Sequence, residues 1–269
     1  MERRVLGSSG IEVPVIGMGT WKTFDVRGAA DIDRRRQVVD VALQAGINLF
    51  DSSPMYGAAE QVLGAALEGR RDQALVATKI WTADDREAEQ QISDSLGYYA
   101  GRIDIYQVHN LVELDKRLRR LAQLQQEGCV RAIGATHYAH DAFGELLDVM
   151  RSGRVSCVQV PYNAEDRVVE ERILPEAADR NIGVIIMRPL GVGALVRRSP
   201  SAEQLAPFAE FGVHTWAQVL LKWLLSDPRV TTVIPATSNP DHARENGEAG
   251  EPPWFGPQER AAVVRLAAG

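Results

Sequence analysis

Short runs of consecutive apolar residues recur along this chain, each followed by a longer stretch whose apolar positions return every three or four residues. The runs cover 47–51, 74–79 (ALVATK), 103–109 (IDIYQVH), 130–135 (VRAIGA), 155–160 (VSCVQV), 182–187 (IGVIIM) and 230–234 (VTTVI). An earlier run at 15–21 is broken by Gly17 and Gly19. The stretches between them predict helices over 34–45, 58–68, 86–97, 114–126, 141–151 and 170–180, then within 201–226, over 240–248, and from about Gln258. Gly46 and Gly128 suit the ends of the first and fourth of these. The runs are apolar throughout rather than alternating, so they predict strands buried on both faces, as in a parallel sheet covered by helices. Eight strand–helix units predict an α/β protein, a closed (β/α)8 TIM barrel forming a single domain over 1–269. An open doubly wound sheet is the alternative. Residues 3–16 alternate around Ser8-Ser9-Gly10 and predict a β-hairpin.

Composition narrows the function classes. With 45% hydrophobic and 25% charged residues the chain has ample core, and its net charge of −6 with no basic face argues against a nucleic-acid partner. The triplet Arg34-Arg35-Arg36 reads as a solvated turn at a helix start. Cys129 and Cys157 lack metal-ligand spacing and are expected as buried, reduced thiols of a cytoplasmic protein, with no metal site. No apolar signal region or membrane-length run is visible, so no membrane partner is expected.

In such a barrel, chemistry gathers where the strands end and their loops converge. The residues at those ends are Trp21, Asp51, Lys79, His109, Thr136-His137, Gln159, Met187-Arg188 and Ala236-Thr237. A lone strand-end lysine is usually solvated and a lone histidine is usually structural. Asp51, Lys79 and His109, however, end successive strands, and Tyr56 lies on the loop that follows Asp51 in Asn48-Leu49-Phe50-Asp51-Ser52-Ser53-Pro54-Met55-Tyr56-Gly57. A phenol with its normal pKa near 10 is a weak proton donor, and a nearby ammonium is expected to lower that value. Lys79 can be that ammonium if Asp51 holds it, and His109 can donate a second hydrogen bond to a carbonyl oxygen. A group poised to protonate a developing alkoxide implies hydride delivery to carbon, which side chains cannot perform; a nicotinamide cofactor is implied.

These residues resemble the aldo-keto reductase family, in its compact prokaryotic form. The likeness covers almost the whole chain, through LGSSGIEVPVIGMGTW, NLFDSSPMYG, LVATKI, IDIYQVH, VRAIGATHY, VQVPYN, RPLGVG and VIPATSNPDHARENG. The resemblance implies a barrel whose bottom is capped by the N-terminal hairpin, and carbonyl reduction of a small-molecule aldehyde or ketone with NADPH. It implies Tyr56 as general acid, assisted by Lys79, Asp51 and His109. Thr20 and Asp51 join the cofactor site; Thr136, His137 and Gln159 would meet the nicotinamide amide. Met187 stands where a tyrosine often stacks on that ring. Arg188, Leu190 and Gly191 would follow the pyrophosphate, and Thr237, His242 and Asn246 the adenosine end. Trp21, Met55 and Trp81 would line the substrate pocket.

Ala236 and His242 replace a frequent lysine and arginine that grip the 2′-phosphate, so NADH is an alternative cofactor, with Arg244 a compensating cation. The short stretch after Asn246 implies an open pocket, and a monomer or weak oligomer is expected. Gly17-Met18-Gly19 is not a dinucleotide loop, because Lys22 takes the place of the third glycine. Two other functions are open to the sequence: a barrel lyase using Lys79 as a Schiff base, which Asp51 opposes by keeping the amine charged, and a cofactor-binding regulatory subunit.

Overall fold

The structure, a computed structural model, describes residues 1–269. Strands β1 (Arg3–Val5) and β2 (Glu12–Pro14) form an antiparallel hairpin. The barrel strands are β3 (Met18–Gly19), β4 (Leu49–Asp51), β5 (Leu75–Ile80), β6 (Ile103–His109), β7 (Val130–Thr136), β8 (Cys157–Pro161), β9 (Gly183–Met187) and β10 (Thr232–Val233). They pair in parallel in chain order, and bridges from Ile16 to Val233 and from Gly19 to Ala236 bring the first strand against the last. A Cβ at Gly19 would sit 3.0 Å from the Ile234 carbonyl, so a side chain here would crowd this seam.

Helices α1 (Ala29–Gln44), α2 (Ala59–Ala66), α3 (Asp85–Tyr98), α4 (Leu114–Gln126), α5 (Phe143–Arg151) and α6 (Ile173–Asp179) cover the sheet after its successive strands. Then follow α7 (Ala194–Arg197), α8 (Ala202–Leu205), α9 (Trp216–Leu225), α10 (Pro240–Glu248) and α11 (Pro257–Ala268). Their starts are specified locally: Asp84 accepts from Glu87 N at 2.9 Å at the head of α3, and Thr215 with Gln218 forms a capping box on α9. In α4, Leu118, Leu121 and Leu124 face the sheet, spaced as the apolar stripe predicts.

Leu49, Ala77, Ile105, Ala132, Cys157, Ile185 and Ile234 fill the barrel interior together with Leu6, Ile11 and Val13 of the hairpin. The hairpin meets the starts of β8 and β9. A Cβ at Gly7 would lie 2.3 Å from Gly183 N and 2.4 Å from Ser156 O. It therefore closes the end opposite the one where Asp51, Lys79 and His109 emerge, as expected.

Three details depart from expectation. Helix α1 begins at Ala29, so Arg35 and Arg36 lie inside it, bonding the Thr23 and Ala65 carbonyls rather than forming a solvated turn. Helix α7 was not predicted, because four residues after a Gly-rich loop carry no periodicity. Cys129 is half-buried at a helix–strand turn, and only Cys157 is fully enclosed; both are free thiols.

A buried ion pair beneath a tyrosine and a histidine: the candidate active site

Asp51 ends β4, Lys79 is the next-to-last residue of β5 and His109 ends β6. Lys79 is wholly buried and Asp51 is 2% exposed. Lys79 Nζ donates to both Asp51 oxygens at 2.8 Å and to the Ser52 carbonyl at 2.7 Å, which accounts for its three hydrogens. Burial opposes the ammonium, but the Asp51 charge overcomes it and the Lys79 pKa is raised. For Asp51 the burial cost is the larger influence, lifting the carboxyl above its usual value against the pull of Lys79. The amine therefore stays charged, which removes the nucleophile a Schiff-base lyase needs.

Tyr56 follows on a short 3-10 turn started by Ser53, whose hydroxyl accepts from Met55 N. Its ring meets His109 edge-on at 6.0 Å, and Lys79 Nζ lies 5.4 Å from the ring centre. The expectation of a lowered phenol pKa does not hold. Burial raises it, Lys79 lowers it, Asp51 raises it again, and the net shift is upward. Burial outweighs the Lys79 charge, which Asp51 partly cancels, so the phenol keeps its proton throughout the neutral range.

His109 is 7% exposed, and its Nδ1 lies 2.9 Å from the Ser53 hydroxyl. With the Ser53 hydroxyl donating to Nδ1, the neutral ring carries its hydrogen on Nε2, the tautomer in which Nε2 can serve as a donor at the mouth. Burial, aided by the Lys79 charge, holds the imidazole pKa down at about 3. An unfolded chain binds this proton near pH 6.5, whereas the folded one does not until about 3. The contribution to stability is thus complete above pH 6.5 and declines as pH falls through that window. Urea unfolding at pH 7 and pH 5 is expected to show a smaller acid loss for His109→Gln than for the wild type; equal losses would remove His109 as the cause.

A polar layer continues inside the barrel. Gln107 donates to Gln159 Oε1 at 2.9 Å and to Asp51 at 3.4 Å, and Gln159 donates to Asp51 at 3.5 Å. Thr20 is fully buried, its hydroxyl bonded to Asp51 O and Ser52 Oγ, and Thr136 Oγ1 donates to Gln159 O at 2.8 Å. Both therefore brace strand ends. Met187 is half-buried and packs on the apolar interior. His137 accepts from Ala139 N through Nδ1.

Leu190 and Gly191 form the turn after β9 with Arg188, whose backbone is left-handed (φ 54°). Thr237 caps Asn239, which in turn caps α10, where Asn246 is buried and His242 exposed. Arg244 pairs with Asp241 at 2.9 Å. Trp21, Met55 and Trp81 each expose more than a third of their surface on the loops after β3, β4 and β5. Gln91 clamps the Trp81 backbone through two hydrogen bonds.

Sequence reasoning missed Ser53, Gln107 and the exposed Tyr138. The one signal for Gln107 is its polar side chain two residues before His109, on a strand whose other polar residue, Asp104, lies at the opposite end.

The family model described as aldo/keto reductase family matches residues 15–263. Aldo-keto reductase YhdN of Bacillus subtilis is 31% identical over 215 residues, covering 72% of this chain and 64% of that protein, just under two thirds of its length. L-galactose dehydrogenase of Arabidopsis thaliana is 27% identical over 91% of this chain and 87% of its own. Among solved structures, aldo-keto reductase AKR11C1 from Bacillus halodurans, in its holo form, superposes with a TM-score of 0.79 and 26% identity, covering 99% of this chain and 96% of that one. An aldo-keto reductase from Klebsiella pneumoniae in complex with NADPH shares the fold at a TM-score of 0.81 and 23% identity, covering 99% and 95%. With the matching model spanning nearly the whole barrel, the chain belongs to the aldo/keto reductase family.

Proposed function

We propose that this protein reduces the carbonyl group of small aldehydes or ketones to alcohols, using NADPH. The observation that carries this reading is Tyr56 with its proton retained, set beside the buried Lys79–Asp51 pair and the neutral His109.

The residues at the mouth fit a nicotinamide cofactor. Gln107 Oε1 is buried without a donor beside Gln159, an acceptor suited to a carboxamide N–H. Gly191 and Gly193, with φ of 58° and 82°, keep the loop after β9 free of side chains at those positions, so a phosphate can come close to the backbone there, while their own amides bond the Arg188 and Leu190 carbonyls within the turn. In this reading Thr136, His137, Gln159 and Met187 surround the nicotinamide, and the backbone of Arg188, Leu190 and Gly191 follows the pyrophosphate. Thr237, His242 and Asn246 take the adenosine end. The bound cofactor supplies the hydride.

The chain's own groups manage the proton and the oxygen. His109 Nε2–H orients the substrate carbonyl by a hydrogen bond to its oxygen. Tyr56 gives its proton to that oxygen as negative charge develops there. Lys79 stabilises the phenolate left behind, and Asp51 with Ser52 O holds the ammonium in place. Trp21, Met55 and Trp81 exclude water and offer apolar contact to the substrate.

Fluorescence titration tests cofactor binding, since Trp21 and Trp81 flank the mouth. NADPH is expected to bind more tightly than NADH, with aldehyde-dependent oxidation of the bound NADPH; absence of both would overturn the reading. Arg244 is the cation left to grip a 2′-phosphate, because Ala236 and His242 offer no permanent charge. Arg244→Gln is expected to weaken NADPH about tenfold or more, the loss of one charge-assisted hydrogen bond, and to leave NADH unchanged. Equal weakening of both would remove Arg244 from that role.

A further inference from the structure

Among the cations near the mouth, Lys22 and Arg197 make no ion pair, whereas Arg198 pairs with Glu165 at 2.7 Å and Arg244 with Asp241 at 2.9 Å. Arg188 has no such partner. Its guanidinium lies instead 4.9 Å from the centre of the Tyr138 ring, on the loop after β7. Tyr138 is 47% exposed, and its ring also stacks near-parallel on His137 at 5.4 Å and 13°. The backbone at Arg188 is left-handed, a strained state for a residue with a side chain, and it is held there by two bonds to its carbonyl, from Gly191 N at 3.0 Å and Asn163 Nδ2 at 3.2 Å. Asn163 is itself buried and receives the Glu165 and Asp166 amides on its oxygen, so this support is rigid.

The direction of the side chain decides what it serves. From the end of β9 it turns back past β8 toward the β7 loop, away from β10 and α10, where a cofactor's adenosine end would lie. Its charge is felt at the Tyr56 phenol, across the mouth. Lys22, the other cation of this rim that stands on an aromatic, lies 4.4 Å from the Trp21 ring centre. Arg188 and Lys22 thus bring positive charge to this rim of a chain that is acidic as a whole, while the Asp25 carboxylate, bonded by Ala58 N at 2.9 Å, lies beside Gly57. A guanidinium held over an aromatic ring, with no carboxylate partner, has N–H groups left for two parallel bonds to a planar carboxylate or to phosphate oxygens.

We propose that Arg188, laid on Tyr138, is an anion receptor that selects carbonyl substrates carrying a carboxylate or phosphate away from the reacting carbonyl. This rests on the carbonyl-reductase reading for its chemistry, though the anion site can be tested without it.

The experiment compares kcat/KM for 4-carboxybenzaldehyde with benzaldehyde, and for glyceraldehyde 3-phosphate with glyceraldehyde. The wild type is expected to favour the anionic member of at least one pair. Arg188→Gln should lower that ratio about 10- to 100-fold, mainly through KM, and Arg188→Lys should restore part of it, a point charge replacing a fork. Tyr138→Leu should lower the ratio in the same direction by freeing the guanidinium. A wild-type ratio at or below one in both pairs, or a ratio unchanged in Arg188→Gln, would overturn the proposal. So would a loss in Arg188→Gln confined to NADPH affinity, which would assign the guanidinium to the cofactor's pyrophosphate. Should no aldehyde be reduced, the carbonyl-reductase reading fails by itself. Quenching of tryptophan fluorescence by terephthalate then decides the site: saturable in the wild type and lost in Arg188→Gln supports it, and no difference between the two overturns it.

Discussion

Tyr56→Phe is expected to lower kcat by about 10²- to 10⁴-fold, the usual contribution of a positioned proton donor, while NADPH binds as before. The change is nearly pure chemistry. The phenyl ring keeps its edge-on contact with His109 at 6.0 Å. Lys79 loses no hydrogen-bond partner, because its three hydrogens already go to Asp51 and Ser52. Thermal stability should therefore hold, and the activity loss cannot be assigned to unfolding. Steady-state reduction of an aldehyde, with NADPH affinity measured by fluorescence, is the check. Turnover near the wild-type rate would take the proton-donor role away from Tyr56.

The parts of the molecule legible in the sequence are those where one interaction dominates. Strand β6 and helix α4 fall where the pattern puts them, since seven consecutive buried positions, or three leucines at helical spacing, leave no competing arrangement. Strand β3 shrinks to Met18–Gly19 within the predicted 15–21, because the flanking residues close the barrel through single bridges rather than a full ladder. Asp51, Lys79, Tyr56 and His109 were readable because the barrel itself brings successive strand ends together.

What could not be read is anything decided by contacts between distant residues or by a balance of opposing influences. Ser53 meets His109 Nδ1 across 56 positions of sequence. Arg188 meets Tyr138 only because β7 and β9 flank the same strand. The sign of the Tyr56 shift depends on burial against two opposite charges, and no spacing reports that.

The Lys79–Asp51 pair gives the largest expected effect on stability. Lys79→Met leaves a carboxylate 2% exposed with no counter-charge, and removing one member of a buried pair costs about 3–5 kcal/mol. For a chain of this size that corresponds to a fall in Tm of about 6–20 °C. The lone Asp51 then escapes by holding a proton. Its folded pKa, already raised by burial, rises further without Lys79, while the unfolded value stays near the usual one for aspartate.

A carboxyl with a raised folded pKa loses stability as pH increases through the window between the two values. The Lys79→Met deficit is accordingly expected to be larger at pH 8 than at pH 5. Adding Asp51→Asn removes the stranded charge, so the double variant should be more stable than Lys79→Met alone and markedly more stable than the sum of the two single losses. Its activity should remain lost, because nothing is left to stabilise the Tyr56 phenolate. Urea unfolding of the four proteins at both pH values measures this coupling. Strict additivity, with no dependence of the Lys79→Met deficit on pH, would mean that the pair is not the electrostatic unit on which the site is built.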